Sequence, residues 1–271
     1  MSKFRVALVQ LSADADVAAN LNRAADLVRE AGKSEPCLVA LPEVFHYRGP
    51  LAGYRESAAP IPGPLTGPFS ELARAINTWM LLGSVAETSG DPQRPYNSSV
   101  LLDPAGNVAA VYRKRHLFDV AIENGPSDHE SGRTTPGTEN VVALLEGAAE
   151  DRDVRLGMSV CFDLRFPELY RDLVARGASI LAVPANFTEA TGRDHWEVLL
   201  RARAIENGCF VIAPAQCGSG GGVLSHGRSM IVDPWGIVLA QAPDGPGLVM
   251  ADLDLDRIRA VRQQLPTQPG R

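Results

Sequence analysis

What this chain lacks narrows its function first. It has no basic excess: 26 lysines and arginines stand against 32 aspartates and glutamates, for a net charge of -6. A phosphate-binding surface normally shows the opposite balance, so nucleic acid is not an expected partner. An acidic small molecule stays possible, because it needs only a locally basic pocket. No apolar run approaches the roughly 18 residues of a membrane span. The opening stretch MSKFRVALVQLSADAD has a short apolar part interrupted by Gln10 and followed by acids, unlike a secretory signal. A cytoplasmic protein with no membrane partner is expected. The four cysteines, Cys37, Cys161, Cys209 and Cys217, contain no C-x-x-C pair and are too few for a disulfide framework. The five histidines lie far apart with no H-x-x-x-H spacing, so no metal is expected. No other cofactor is called for.

What remains is ordinary globular material, 45% hydrophobic and 21% charged. A length of 271 residues suits one layered α/β domain over residues 1–271. Strand-like runs fall at residues 6–11, 37–41, 80–85, 98–102, 108–112, 141–145, 154–161, 180–184, 209–213, 228–232, 237–241 and 248–252. Helical periodicity falls at residues 17–31, 68–77, 167–176, 194–207 and 256–264, with Gly32 and Gly177 as expected C-caps. Asp103-Pro104-Ala105-Gly106 and Asp233-Pro234-Trp235-Gly236 read as hairpin turns. Residues 48–67 and 121–138, rich in proline, glycine and polar residues, read as long loops.

The chain also echoes itself. VALVQL, a helix and LVALPEVF open the first half; GMSVCF, a helix and ILAVPANF open the second. Each is a strand–helix–strand unit ending in Pro-x-x-Phe, which favours parallel strands with helices outside. A dozen strands with few helices predict two mixed sheets packed face to face, each with an outer helical layer. The two halves should be related by a pseudo-twofold axis. This arrangement puts Glu43 and Cys161 at C-terminal strand ends, where ligands of α/β proteins bind.

Three positions then stand out. Cys161 closes an apolar strand just before Pro167, a favoured first helical residue, so it sits at a sharp strand-to-helix transition of the kind that exposes a nucleophile. The other three cysteines lie in or beside apolar runs, where free cysteine acts as a small hydrophobe. Glu43 directly follows an apolar strand, as a general base would, though a solvated strand-end acid has the same position. Lys114 follows a strand between Arg113 and Arg115, a pattern also typical of a solvated basic run.

Joined in order, the pieces resemble a known family. Leu41-Pro42-Glu43, YRKRHLF around Lys114, GMSVCFDLRFPELYR around Cys161, PANFTEATGRDHWEVLLRARAIEN and HGRSMIVDPWG are similar to the motifs of the nitrilase superfamily of carbon–nitrogen hydrolases over nearly the whole chain. The resemblance implies an αββα sandwich, a dimer or higher homo-oligomer built through a helical layer, and a Glu43–Lys114–Cys161 triad. It also implies a second glutamate between lysine and cysteine, followed by Ser and later Pro-Gly. Glu130 in HESGRTTPG fits that place better than Glu123.

The chemistry suits these residue types. A thiol must become a thiolate to attack an amide, and a nearby cation favours that form. Glu43 can take the thiol proton and pass it to the departing amine. Lys114 and the backbone N–H of Phe162 can hold the oxyanion of the tetrahedral intermediate. A thioester forms, and water activated by Glu43 releases the acid. Within the family, the second half most resembles the branch that cleaves deaminated glutathione, an amide of a keto acid with cysteinylglycine. HWEVLLRARAIENGCFVIAPAQCG and the Ala215-Gln216-Cys217-Gly218 marker carry that resemblance. The neighbouring branches are ω-amidases acting on α-ketoglutaramate and α-ketosuccinamate, and broad aliphatic amidases or nitrilases. A carboxylate-bearing substrate requires a basic group. Arg165 and then Arg193 are the candidates, with Asn186, Phe187 and Thr188 as wall residues; an ion pair of Arg165 with Glu168 or Asp163 is the alternative. Residues 48–62 depart from the branch, and Ser219-Gly220-Gly221-Gly222 reads as a flexible stretch. From other functional classes, a non-catalytic scaffold would be expected to have lost a triad residue, and a redox sensor to carry a resolving cysteine near Cys161.

Overall fold

The computed structural model describes residues 3–121, 127–149 and 152–267. The first half runs β1 (Lys3–Gln10), α1 (Val17–Gly32), β2 (Leu38–Ala40), α2 (Leu51–Glu56), α3 (Gly67–Ile76), β3 (Trp79–Glu87), β4 (Tyr96–Leu102) and β5 (Val108–Arg113). A small hairpin follows, β6 (Asp119–Ala121) and β7 (Ser127–His129). The second half runs β8 (Val142–Leu144), β9 (Arg155–Met158), α4 (Pro167–Ala175), β10 (Ile180–Ala182), α5 (Glu189–Asn207) and β11 (Phe210–Ala213). It ends with the hairpin β12 (Cys217–Gly220) and β13 (Val223–His226), then β14 (Met230–Val232), β15 (Val238–Gln241), β16 (Gly247–Asp254) and α6 (Asp256–Gln264). Short 3-10 turns occupy Glu130–Gly132 and Cys161–Arg165.

Two six-stranded sheets form, in the orders β16-β1-β2-β3-β4-β5 and β15-β14-β11-β10-β9-β8. All twelve runs read as strands from the sequence are the twelve strands of these sheets. The internal echo is real in topology. In one sheet β1, β2 and β3 are parallel, with antiparallel neighbours β16 on one side and β4 and β5 on the other. In the other, β9, β10 and β11 are parallel, flanked by antiparallel β8 and by β14 and β15. The register repeats as well: Val6 pairs with Leu38 as Leu156 pairs with Ile180.

Period-2 alternation sorts the first sheet into two faces. Val6, Leu8, Leu38, Ala40 and Leu81 pack with Leu156, Met158, Ile180 and Ala182 of the second sheet. Ala7, Val9, Val39, Leu41, Met80 and Leu82 pack with Ala24, Val28, Phe69 and Ala73 of α1 and α3. Trp196 and Leu200 of α5 and Leu169 and Leu173 of α4 cover the far side. This is the αββα order. With both sheet faces buried, the strands read as continuous apolar runs rather than alternating ones. No helix among the described residues is long and apolar enough to cross a membrane.

Several expectations need correction. α1 continues through Gly32, and its C-cap is Lys33 in a right-handed conformation; Gly32 is small because a Cβ there would lie 2.9 Å from Ile76 of α3. Gly177 does adopt the left-handed conformation after α4, at φ 96°. The predicted strand to residue 161 stops at Met158, because the chain must turn to present the cysteine. α5 begins at Glu189 rather than 194. Its first turns carry Thr191 and Gly192, poor helix formers retained because a Cβ at Gly192 would lie 2.4 Å from the His226 ring. The loop at residues 48–62 contains α2, which buries none of its residues. The glycine run at 219–222 is an ordered hairpin end, with Gly221 and Gly222 at positive φ and Gly220 under the Arg48 guanidinium. Most of residues 127–138 follow β7 and the Glu130 turn; Glu123 lies outside the described residues.

β3 is buried along its whole length and shifts register between Leu82 and Val85. There Gly83 passes so close to the segment after β2 that a Cβ would lie 1.9 Å from the Leu41 carbonyl oxygen. Gly83→Ala should therefore destabilise the protein by about 2 kcal/mol or more through overpacking. Gly90→Ala, where a Cβ meets nothing within 4 Å, should be silent. Denaturant midpoints of the two variants against wild type measure the difference.

Candidate active site

Three strand ends and one loop converge on the triad. Glu43 follows β2 in a turn gripped from two sides. Val44, at φ 45°, donates its N–H to Ser84 Oγ on β3 at 2.9 Å. Gln216 Nε2 donates to the Glu43 carbonyl oxygen at 3.0 Å. Gln216 is part of the branch marker, so that marker acts on the backbone of the acid. Lys114 follows β5, donating its N–H to Asn97 O at 2.9 Å and accepting from Gly137 N–H at 2.8 Å. Glu130 opens its 3-10 turn and accepts the Phe118 N–H at 2.7 Å.

The side chains meet in the interior. Lys114 Nζ donates to Glu43 Oε1 at 3.0 Å and to Glu130 Oε2 and Oε1 at 2.8 and 3.1 Å. Residue exposure is 2% for Lys114, 4% for Glu43 and 7% for Glu130. Burial works to lower the Lys114 pKa, but the two carboxylates outweigh it and hold the ammonium well above its ordinary value. Lys114 is therefore a fixed cation, unsuited to proton transfer near neutral pH. Asn97 Nδ2 donates to Glu43 Oε1 at 2.9 Å and to Glu130 Oε1 at 3.5 Å, tying the two acids together. The second Glu43 oxygen, Oε2, accepts the Asn186 N–H at 2.8 Å.

Cys161 stands where the strand-to-helix transition was expected, at φ 51° on the first residue of a 3-10 turn. That conformation is costly for a residue with a side chain. Asp163, fully buried, offsets it. Its carboxylate accepts from Val160 N–H at 2.8 Å, Tyr112 OH at 2.7 Å and His116 N–H at 3.1 Å, with His116 Nδ1 at 2.7 Å. Asp163 thus faces away from Arg165, and no ion pair of Arg165 with Asp163 or Glu168 is present among the described residues. The thiol lies beside the Glu43 carboxylate on the cavity floor. Burial first, then the Glu43 charge, push it well above the ordinary thiol value, and Lys114 and the Asn186 N–H only partly oppose them. The Cys161 thiol is therefore held neutral, where the nearby cation was expected to favour the thiolate.

These groups form the floor of a cavity of about 450 Å³. Phe162, Arg165, Asn186, Phe187 and Thr188 line it, as expected. The Arg165 guanidinium lies 5.1 Å over the Phe187 ring and 5.8 Å over Phe162, with Nη1 donating to His195 Nδ1 at 3.2 Å. Arg193 is not brought to the cavity: its side chain is 71% exposed beside Asp194, because that turn of α5 faces outward. Among the lining residues that escaped the sequence reading are Asn97, Arg48, Tyr54 and Arg133. Only Asn97 left a signal, as the first of three buried polar residues (Asn97, Ser98, Ser99) inside an apolar strand. Among the described residues, no group of three or more His, Cys, Asp or Glu side chains is placed to hold a metal ion.

Comparison with known proteins agrees with this geometry. The deaminated glutathione amidase of Bos taurus is 42% identical, with 96% of this chain and 80% of that protein aligned. An ω-amidase of Pongo abelii is 35% identical over 98% of this chain and 94% of its own length. Among solved structures, the Caenorhabditis elegans NitFhit protein superposes with a TM-score of 0.88 at 35% identity; the alignment covers 98% of this chain but only 64% of that one. An amidase from Nesterenkonia sp. AN1, crystallised with acrylamide added at its active-site cysteine, gives 0.78 at 28% identity, covering 97% of this chain and 98% of that one. The sequence matches the carbon–nitrogen hydrolase family model over residues 5–263. The chain belongs to the carbon–nitrogen hydrolase family.

Proposed function

We propose that this protein is an amidase that hydrolyses deaminated glutathione, releasing cysteinylglycine and a keto acid, through a thioester on Cys161. The observation that supports the mechanism is a buried carboxylate, Glu43, that bonds the Lys114 ammonium at 3.0 Å and lines the same cavity floor as the Cys161 thiol. Sγ attacks the amide carbonyl carbon as its proton moves to Glu43. Lys114 Nζ and the Phe162 N–H, a first-turn donor with no partner inside its own helical segment, hold the oxyanion. Collapse breaks the C–N bond, and the amine leaves with the proton from Glu43. Water then attacks the thioester with Glu43 as base, restoring the thiol and releasing the acid. Glu130 holds Lys114 in place through both of its carboxylate oxygens, at 2.8 and 3.1 Å.

The substrate reading draws on the relatives. The deaminated glutathione amidases are 39–43% identical to this chain, against 35% for the ω-amidase. A cavity of about 450 Å³ is within the ordinary range for a small ligand. Arg165, half-buried over two aromatic rings without a carboxylate partner among the described residues, is suited to the keto-acid carboxylate. Hydrolysis of α-ketoglutaramate is the second reading, favoured by the same arginine. A cytoplasmic place in metabolite repair follows from this chemistry. A homodimer is supported by exposed apolar side chains on one flank, Val198 and Ile205 of α5 beside Trp235, Ile237 and Leu239.

Assays of released cysteinylglycine and ammonia, on deaminated glutathione and α-ketoglutaramate, test both readings. Cys161→Ala should abolish turnover, and Glu43→Gln should lower kcat by about 10²–10⁴-fold because both half-reactions need its proton transfer. Ammonia release with no cysteinylglycine release would move the protein to the ω-amidase side. Arg165→Met should raise KM for the carboxylate-bearing amides by about tenfold or more, with a smaller effect in Arg165→Lys. An unchanged KM would remove Arg165 from the substrate site.

A further inference from the structure

Arg48 is a buried arginine that the proposed mechanism does not use. It is 5% exposed, and no carboxylate lies within 4 Å of it among the described residues. Burial lowers its pKa from the ordinary value without abolishing the charge at neutral pH. Its guanidinium is spent on one hairpin. Nη1 donates to Cys217 O at 3.1 Å; Nη2 reaches Gly218 O at 3.1 Å, Val223 O at 2.9 Å and Ser225 Oγ at 2.8 Å. Nε is buried with no hydrogen-bond partner. Arg48 therefore cannot offer a free fork to substrate, and its role must pass through what it holds.

The last of those bonds leads to the reacting atoms. Because Ser225 Oγ accepts from Arg48, its own hydrogen is directed elsewhere, and it donates to Asn186 Oδ1 at 2.5 Å. Asn186 in turn donates its backbone N–H to Glu43 Oε2 at 2.8 Å, and the same N–H favours the Cys161 thiolate. The surrounding backbone is fixed by the same hairpin: His226 N–H donates to Phe187 O at 2.8 Å, and Thr188 bridges Ser225. The bonds thus lead from a buried cation to the Asn186 side chain, and the backbone N–H of the same residue faces the carboxylate. Residues 48–62, which depart from the deaminated glutathione branch, and the glycine-rich stretch 219–222 meet at this arginine, and a Cβ at Gly220 would lie 2.8 Å from its Cζ.

We infer that Arg48 is a positioning residue, acting through Ser225 and Asn186 to aim the Asn186 N–H at Glu43 and Cys161. This rests on the assignment of Glu43 and Cys161 as base and nucleophile. The test needs no substrate. Alkylation of Cys161 by acrylamide is followed across pH by mass spectrometry of the Cys161 peptide, in wild type, Ser225→Ala, Arg48→Lys and Glu43→Gln. Ser225→Ala breaks the chain in the middle and leaves the bonds from Arg48 to the backbone intact, so it keeps the test open should Arg48→Lys fold poorly. The charged groups around the thiol are Glu43, Lys114 and Arg165, with Tyr170 behind. None of them changes in Ser225→Ala or Arg48→Lys.

Losing the aimed N–H destabilises the thiolate. Ser225→Ala should shift the alkylation midpoint upward by about one pH unit, a tenfold slower rate below it, with an unchanged melting temperature. Arg48→Lys should shift it in the same direction. Glu43→Gln removes a negative charge beside the thiol and should shift the midpoint downward. A merely structural role for Arg48 would lower the melting temperature of Arg48→Lys and leave both midpoints at wild type, and that result would overturn the inference. An unmoved midpoint in Glu43→Gln would instead strike at the assignment of Glu43 as the base beside the thiol.

Discussion

The site depends on one buried cation shared by two buried carboxylates. Lys114, Glu43 and Glu130 together carry one net negative charge in a region almost closed to water. Moving such groups out of water costs several kcal/mol each, and only close pairing and saturated hydrogen bonding offset it. The structure supplies both: Glu43 accepts from Lys114, Asn97 and Asn186, and Glu130 from Lys114 and Phe118. This arrangement also divides the labour. Holding the ammonium takes Lys114 out of proton transfer and leaves it as a fixed positive charge. Burial first, and then the charge of Glu43, disfavour a further negative charge on Cys161, so the thiol rests neutral. In the proposed mechanism, charge develops on sulfur only as a proton reaches Glu43.

That constraint explains the local strain. The thiol must reach Glu43, which comes from the other sheet, and a cysteine left on the regular strand would point its side chain into one face or the other. The positive φ at Cys161 turns it toward the acid. Asp163 holds the turn through Val160, and it is anchored by Tyr112 on β5 and by His116, which stacks on Phe166 at 3.8 Å. The strand that delivers Lys114 thus also braces the cysteine turn. The placement of nucleophile and cation is coupled through Asp163, a residue that touches neither.

The architecture was legible in the sequence, and the residues proposed for the site stood out there for a related reason. Strands buried on both faces write themselves as apolar runs, and the repeated strand–helix–strand unit with its Pro-x-x-Phe ending announced the duplicated sheet pattern. Glu43, Lys114 and Cys161 each follow such a run, and their motifs are local. What escaped was non-local. The β12–β13 hairpin is mostly small and polar, and it is held by Arg48 more than 160 residues away in sequence. Asn97 looks like any strand residue until Glu43 and Glu130 are seen on either side of it. The outward turn of Arg193 depends on the helical phase of α5, whose start was read five residues late. The direction of the thiol shift was misjudged because the cation is visible in a motif, whereas burial and the competing acid are properties of the folded site.

The duplication also explains why there is one site rather than two. Pro42-Glu43-Val44-Phe45 and Pro184-Ala185-Asn186-Phe187 follow equivalent strands, so Ala185 holds the place of Glu43. By the same register Leu11, buried at the end of β1, holds the place of Cys161. A symmetric molecule would bring two acids and two thiols to the seam between the sheets, adding like charge where one carboxylate pair already needs a lysine. Instead, one half contributes the acid and the other the thiol. The loop freed from carrying an acid supports the opposite half: Asn186, at the position of Val44, turns its N–H to Glu43. The second copy of the motif thus survives as the hydrogen-bonding support of the first, and the asymmetry lets a single proton pass between one acid and one sulfur.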